Sequence, residues 1–329
     1  MDILRDLKDS ISCRGYSVVL PEGRDERIVA AARRIKDEGI AVPVLLGNVR
    51  QIKESAHKAA VTLDDITTID PKAGSRIGSY VQAYVARRKD ISKAVARRIV
   101  TKPLFYAGLM VACGDADAMV AGAASATATV IQAGVLTIGL MPGISTPSSY
   151  FVMVVPKFLD EDNKIFIFAD CAVNVDPTAE QLADIALASA ESAKRILPQQ
   201  PRVAMLSFST KGSGLGQSVK KVIQALEIAK ERNGDLVIDG EFQADSAIIP
   251  QVAAKKVKEV SLVAGKANVL IFPDLNAANI AYKLTQYLSE ARAIGPVLQG
   301  FAKPITDLSR GASVDDIISA VVLTLAKLL

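Results

Sequence analysis

The stretch Gly300–Asp316, GFAKPITDLSRGASVDD, puts a hydroxyl (Ser309), a guanidinium (Arg310) and a carboxylate (Asp316) within a few positions of one another. An Arg flanked by Ser and Gly in a loop suits bidentate binding of an oxyanion, and a nearby carboxylate can accept a proton. Each residue also has a plainer reading. Arg310 could pair with a neighbouring acid such as Asp307. Asp316 stands three residues after Ser313 and just before Ile317 and Ile318, the spacing of a capping box that opens a final helix.

A second constellation is FSTKGSGLGQSVKKV, residues 208–222, where a strand-like run passes into a helical pattern. Backbone N–H groups at Gly212, Gly214 and Gly216 would reach a phosphate at a helix N-terminus, helped by Lys211 and the hydroxyl of Ser213. An ordinary strand-to-helix turn has the same appearance. The dinucleotide fingerprint is incomplete, with Gln217 or Val219 where its last glycine belongs, which leaves a dinucleotide-dependent oxidoreductase as the remoter reading. Asp239, Glu241 and Asp245 follow a strand-like run and read as loop caps in preference to metal ligands. His57 is the only histidine, and its polar helical surroundings place it on the surface. A Ser-His-Asp triad and multi-histidine metal ligation therefore lack material, and acid/base work falls to carboxylates, Lys, Tyr or the substrate.

Apolar strand-like runs that alternate with amphipathic helical runs must position these groups, a pattern that predicts an α/β protein with mainly parallel sheets. The candidate strands are 17–21, 42–46, 118–121, 165–170, 203–208 and 268–273, each ending near Gly, Pro, Asp or Ser. Residues 178–196 place Leu182, Ile185, Ala186, Ser189, Ala193 and Ile196 on one face, and Thr178 with Gln181 makes a capping box. Punctuation at MPGISTP (141–147) and IGP (294–296) predicts hinges. The expected domains are 1–145 plus 296–329, and 146–295, with helices flanking both sheets and an active-site cleft between the domains, where ligands often sit.

Composition agrees with this frame. The chain has 329 residues, half of them hydrophobic, with no Trp and few aromatics, and is long enough for two cores. A net charge of +4, with the cations spread among acids, gives no nucleic-acid footprint. Cys13, Cys113 and Cys171 lack disulfide or zinc spacing and fit a reducing cytoplasm. The N-terminus does not read as a secretory signal. The charge-free run between Asp117 and Lys157 is broken by Pro142, Gly143 and Pro147, so it reads as buried core and not as a membrane span.

The ordered blocks LPEGRDER (20–27), GDADAMVAGA (114–123), FADC (168–171), LSFSTKGS (206–213), VIDGEFQAD (237–245), VAGKANVLIFPDLN (263–276) and IGPVLQGFAKPITDLSRG (294–311) resemble the phosphate acetyltransferase and butyryltransferase family over essentially the whole chain. The ethanolamine-utilisation branch is also similar, notably at LADIALASAE (182–191). The resemblance implies reversible exchange of phosphate and coenzyme A on an acyl group, acetyl first and butyryl as an alternative. It implies direct transfer in a ternary complex, with CoA as substrate and no cofactor or metal. The partners it implies are small molecules and a second copy in a homodimer, with neither nucleic acid nor membrane. By the resemblance, Asp316 is the base, Ser309 and Arg310 stabilise and orient the reacting groups, and Arg87 binds CoA, with Ser125, Thr127, Gln132, Lys211, Gly212, Ser213 and Lys283 as further substrate contacts. One departure stands out. The family usually carries an Arg where this chain has Gln132, and Ser125 and Thr129 stand near positions where a His and an acid are common. Loss of one charge-assisted hydrogen bond costs about 1.5–3 kcal/mol, or one to two decades in affinity or rate. Arg88 or Lys89 are candidates to compensate, and a homologue that binds acyl-CoA or phosphate with little turnover is the alternative function.

Overall fold

The computed structural model describes residues 3–88 and 90–329. Among them are strands β1 (Ser17–Leu20), β2 (Val42–Leu46), β3 (Thr67–Ile69), β4 (Ala118–Ala121), β5 (Ser148–Phe158), β6 (Glu161–Ala169), β7 (Val203–Leu206), β8 (Ile238–Phe242), β9 (Val269–Ile271), β10 (Arg292–Gln299) and β11 (Ile305–Asp307). The helices are α1 (Ile3–Ile11), α2 (Glu26–Asp37), α3 (Val49–Lys58), α4 (Ile77–Arg87), α5 (Lys93–Val100), α6 (Pro103–Cys113) and α7 (Thr127–Thr137). They continue with α8 (Ala179–Ile196), α9 (Gln217–Arg232), α10 (Ala244–Ile248), α11 (Pro250–Lys256), α12 (Leu275–Leu288) and α13 (Val314–Leu325). The chain divides into two compact units, Met1–Pro142 with Phe301–Leu329, and Gly143–Gly300.

The first unit is built on the sheet β11-β4-β1-β2-β3, in which every pairing is parallel. Its strands are short and apolar. Val18, Val19, Leu20, Leu45, Leu46, Met119 and Val120 are all fully buried, as expected for a sheet covered on both faces. Helix α13 packs on α2, and α6 packs on α7. The order of strands reverses at β1: β2 and β3 extend to one side, β4 and β11 to the other. Such a switch point opens a crevice at the carboxyl edge of a doubly wound sheet. Because all five strands run the same way, the loops after Leu20, Leu46, Ile69, Ala121 and Asp307 emerge on that one edge.

The second unit carries the sheet β10-β5-β6-β9-β7-β8. Pairs β6-β9, β9-β7 and β7-β8 are parallel, whereas β10-β5 and β5-β6 are antiparallel. Phe151, Met153, Phe166, Phe168, Phe242 and Leu270 belong to its apolar core. Helix α8 begins with the expected capping box between Thr178 and Gln181, and Leu182, Ile185, Ala186, Ser189 and Ala193 on its inner face are fully buried.

The predicted strands all form, though the one expected at 165–170 begins earlier, at Glu161, and the one expected at 268–273 is only Val269–Ile271. The antiparallel edge is a finding that the alternation of strands and helices does not predict. Strand β5 arises within the charge-free run and buries Ser148 through Val155, so its residues lack the polar alternation that marks an exposed antiparallel strand. No helix among the described residues is long and apolar enough to cross a membrane, and His57 lies exposed on α3.

Candidate functional site

At the switch point of the first unit, Glu22 follows β1 and is 6% exposed. Its two carboxylate oxygens accept from Gly122 N (2.9 Å) and Ala124 N (3.0 Å) in the loop after β4. A buried carboxylate needs such partners, and hydrogen bonds to a charged group contribute about 1.5–3 kcal/mol each. Close approach continues on the other side. Leu308 N donates to Ala121 O at 2.6 Å, and a Cβ on Gly122, at φ +115°, would come within 2.5 Å of Leu308 N. Only glycine fits there.

The loop 308–313 runs from β11 to α13 on this edge. Ser309 and Arg310 are both exposed. Ser309 Oγ accepts from Gly311 N at 3.2 Å, and the Arg310 guanidinium has no partner among the described residues. Asp307 does not pair with Arg310. It is 2% exposed, its Oδ2 accepts from the Thr127 hydroxyl at 2.5 Å, and its Oδ1 lacks a hydrogen-bond partner. Burial, with a smaller push from the Glu22 carboxylate, raises the Asp307 pKa to about 6 despite the Thr127 bond.

Asp316 occupies the third position of α13 and closes the capping box. Its Oδ2 accepts from Ser313 N (2.9 Å) and Ser313 Oγ (2.8 Å), while Asp316 N donates to Ser313 Oγ (3.2 Å). The side chain is exposed, and its Oδ1 is unbonded among the described residues. Neighbouring Asp315 pairs with Arg34 at 2.6 Å.

A cavity of about 670 Å³ opens in the same unit, lined by residues after β1, β2 and β3 and by α6 and α7. Ser125 and Gln132 line it, as do Arg24, Lys72 and Lys102. None of these three cations has a carboxylate partner among the described residues. Against them stand the carboxylates of Glu22 and Asp70, so three cations and two acids leave the wall with a small formal positive charge, compatible with an anionic ligand. Helix α7 starts beside Ser125 without a side-chain cap, and free N–H groups at a helix N-terminus favour an oxyanion. Thr127 spends its hydroxyl on Asp307. Arg87, on the last turn of α4, is exposed and unpartnered among the described residues. Arg88 pairs with Asp90 at 3.4 Å, and Lys89 lies outside the described residues.

In the second unit, the loop 207–216 is tied down by its own hydrogen bonds. Lys211 Nζ donates to Asp239 Oδ1 (2.7 Å) and Gly240 O (2.8 Å). Burial raises the pKa of Asp239, but the bonds from Lys211 and Ser261 outweigh it and hold this carboxyl low. Gly212 N donates to Glu241 Oε1 (2.8 Å), and Ser213 Oγ accepts from Thr210 N (2.9 Å). Asp239 and Glu241 thus serve the loop, in line with the cap reading of these acids. Lys283 is exposed on α12, 5.0 Å from the Tyr282 ring centre, and hydrogen bonding to Tyr282 raises its pKa.

Three site residues escape a reading by local spacing: Glu22, Arg27 and Asp307. Glu22 and Asp307 carry one visible signal, charge placed at the end of an apolar strand, in VVLPE and PITD, whereas Arg27 lies beyond the strand end, on the first turn of α2, and carries no such signal.

Comparison with known proteins decides the family. Its profile, described as "Phosphate acetyl/butaryl transferase", matches residues 2–325. The chain belongs to this family. Phosphate acetyltransferase of Treponema pallidum (strain Nichols) is 46% identical to this transferase over 317 residues, covering 94% of each chain. Among solved structures, a phosphotransacetylase from Streptococcus pyogenes superposes with a TM-score of 0.91 at 41% identity, covering 98% of this chain and 97% of its own. The EutD phosphotransacetylase from Staphylococcus aureus gives 0.91 at 37%, covering 100% and 98%. The α/β architecture with mostly parallel, helix-flanked sheets is shared with both structures, and this transferase is an acyltransferase by family.

Proposed function

We propose that this transferase moves an acetyl group reversibly between acetyl phosphate and coenzyme A by direct thiol attack. The observation that carries the reading is the loop 308–313. In a chain of this family, it presents an unpartnered, exposed Arg310 beside Ser309 on the carboxyl edge of a switch point. The CoA thiol attacks the acetyl carbonyl carbon, the C–S bond forms, and the bond from that carbon to the phosphate oxygen breaks, with the electron pair leaving on phosphate. A free thiol near pKa 8.5 is mostly protonated at neutral pH, so Asp316 takes its proton through the Oδ1 that the capping box leaves open. Ser309 and Arg310 stabilise charge on the carbonyl oxygen and the departing phosphate.

In this reading, the cavity beside α7 receives an anionic portion of CoA. Ser125, Gln132 and the α7 N-terminus supply hydrogen bonds there, Arg24, Lys72 and Lys102 supply charge, and Arg87 binds CoA from the end of α4. Thr127 acts through Asp307. Lys211, Gly212 and Ser213 contribute only if a ligand displaces their bonds to Asp239, Glu241 and Thr210, and Lys283 is a further exposed contact. Direct transfer calls on no cofactor.

The testing experiment follows thioester formation from CoA with acyl phosphates of increasing length. Acetyl phosphate is expected to give the highest kcat/KM, and Gln132→Arg to raise kcat/KM for CoA by about one to two decades through a new charge-assisted bond. A folded protein that forms no thioester with any acyl phosphate would end the transferase reading.

We further place the protein in the cytoplasm as a homodimer. Its cysteines are all free, with Cys13 and Cys113 exposed, which suits a reducing compartment. Ile280, Leu284, Tyr287 and Leu288 form an exposed apolar stripe on α12, with Leu288 81% exposed, at the spacing of one helix face. Sedimentation at micromolar concentration should give a dimer that Leu284→Asp with Leu288→Asp weakens at least tenfold. A monomeric wild type would rule the dimer out.

A further inference from the structure

The tip of the loop carrying Ser309 and Arg310 makes two short-range hydrogen bonds within itself, Gly311 N to Ser309 Oγ (3.2 Å) and Ala312 N to Ser309 O (2.9 Å), which fold the turn but do not tie it to the rest of the unit. One side chain from α2 supplies the anchor. Arg27 Nη1 donates to Arg310 O (2.8 Å) and to Ala312 O (2.9 Å). Its Nη2 donates to Ala123 O (3.1 Å) and to Asp25 Oδ2 (2.7 Å). Its Nε donates to Asp25 Oδ1 (3.0 Å). A guanidinium has five N–H donors in a fixed planar fork, and here each has an acceptor.

The acceptors belong to three separate loops. Asp25 precedes α2, caps it by accepting from Arg27 N (2.9 Å), and holds the guanidinium plane in bidentate register. Ala123 lies in the loop that leads to Ser125 and Thr127. Arg310 and Ala312 flank the tip of the 308–313 loop. Glu22 bonds the same 122–124 backbone from the β1 side. The two loops that carry most of the candidate site are thereby joined through one planar group.

We propose that Arg27 is a positioning residue for the acyl transfer reaction: by gripping the carbonyls of Arg310, Ala312 and Ala123, it sets where the Arg310 guanidinium and Ser309 hydroxyl stand relative to the α7 N-terminus. This rests on the transferase reading above. Arg27 itself touches no reacting atom, because its donors are all spent on protein. Catalysis by aimed donors is sensitive to displacements of about 1 Å, so loosening the clip should cost turnover more than substrate binding.

The test compares wild type with Arg27→Ala, Arg27→Lys and Asp25→Asn in steady-state thioester formation and in hydrogen exchange of the 309–313 amides. Arg27→Ala should lower kcat about tenfold or more while KM for acetyl phosphate stays within about threefold. Exchange in 309–313 should quicken with the core unchanged, and added guanidinium ion should recover part of kcat at concentrations that leave the protein folded. Arg27→Lys keeps the charge without the fork and should fall between. Asp25→Asn should show a milder form of the same kcat loss. The proposal is overturned if kcat is unchanged, if KM carries the loss, or if 309–313 exchange matches wild type in these variants. Should Arg27→Ala fail to fold, Arg27→Lys and Asp25→Asn decide the same question. If the wild type makes no thioester, the transferase reading falls on that ground alone, and the exchange data still decide whether Arg27 holds the loop.

Discussion

Replacing Arg310 by Ala should lower kcat/KM for thioester formation by about two to three orders of magnitude, the size of effect seen when one donor to a developing oxyanion is removed. Folding should be nearly unaffected. The side chain is exposed and bonds nothing among the described residues, while the contact the loop needs, from Arg27 to the Arg310 carbonyl, is retained by Ala. Asp316→Asn should show a comparable loss, since general-base catalysis contributes about two to four orders of magnitude. It separates the two roles of this residue: an amide oxygen can still accept from Ser313 N and preserve the cap, but it cannot take a proton. Asp316→Ala should lose the activity and also about 0.5–2 kcal/mol of stability with the cap. The checks are steady-state kinetics and thermal melting on the same preparations. Wild-type turnover in both Arg310→Ala and Asp316→Asn would refute the assigned roles.

Asp307 should impose a pH dependence on stability opposite to that of most surface carboxylates. Its pKa stands at about 6 in the fold against an ordinary 3.8. Between these values the folded protein holds a proton that the unfolded chain has released, so stability falls as pH rises from about 4 to 6, and the deficit persists above 6. The full shift corresponds to about 3 kcal/mol. Asp307→Asn removes the buried charge and leaves an acceptor for Thr127. At pH 7 the variant should therefore be more stable than wild type, with the advantage shrinking as pH falls toward 4. The measurement is the difference in melting temperature between the two proteins across that range, which cancels the other carboxylates. A constant difference would show that Asp307 does not titrate there.

The parts of the fold that were legible in the chain are those where one local rule dominates. Buried parallel strands such as β1, β2 and β7 are continuous apolar runs bounded by turn residues, and α8 and α13 announce themselves through capping boxes at Thr178 and Ser313. Strands β3 and β11 are three residues long, too short for periodicity to register, and β10 is interrupted by Gly295 and Pro296. Residue types alone also identified Ser309 and Arg310 as exposed loop chemistry and Asp316 as a cap. They could not tell that Lys211 is engaged by Asp239, or that Asp307 turns to Thr127 and leaves Arg310 unpaired.

What the sequence by itself determined is the buried parallel strands and capped helices that obey one local rule, the α/β class and the loop that carries the hydroxyl, guanidinium and carboxylate, because these follow from interactions within a few residues. Only the tertiary structure decided which loops meet. Position 22 reaches 122 and 124, and position 27 reaches 123, 310 and 312, because the order β11-β4-β1 lays three parallel strands side by side with their carboxyl ends on one edge. Hydrogen bonds act over about 3 Å, and strand order, not spacing along the chain, brings such distant residues within that range.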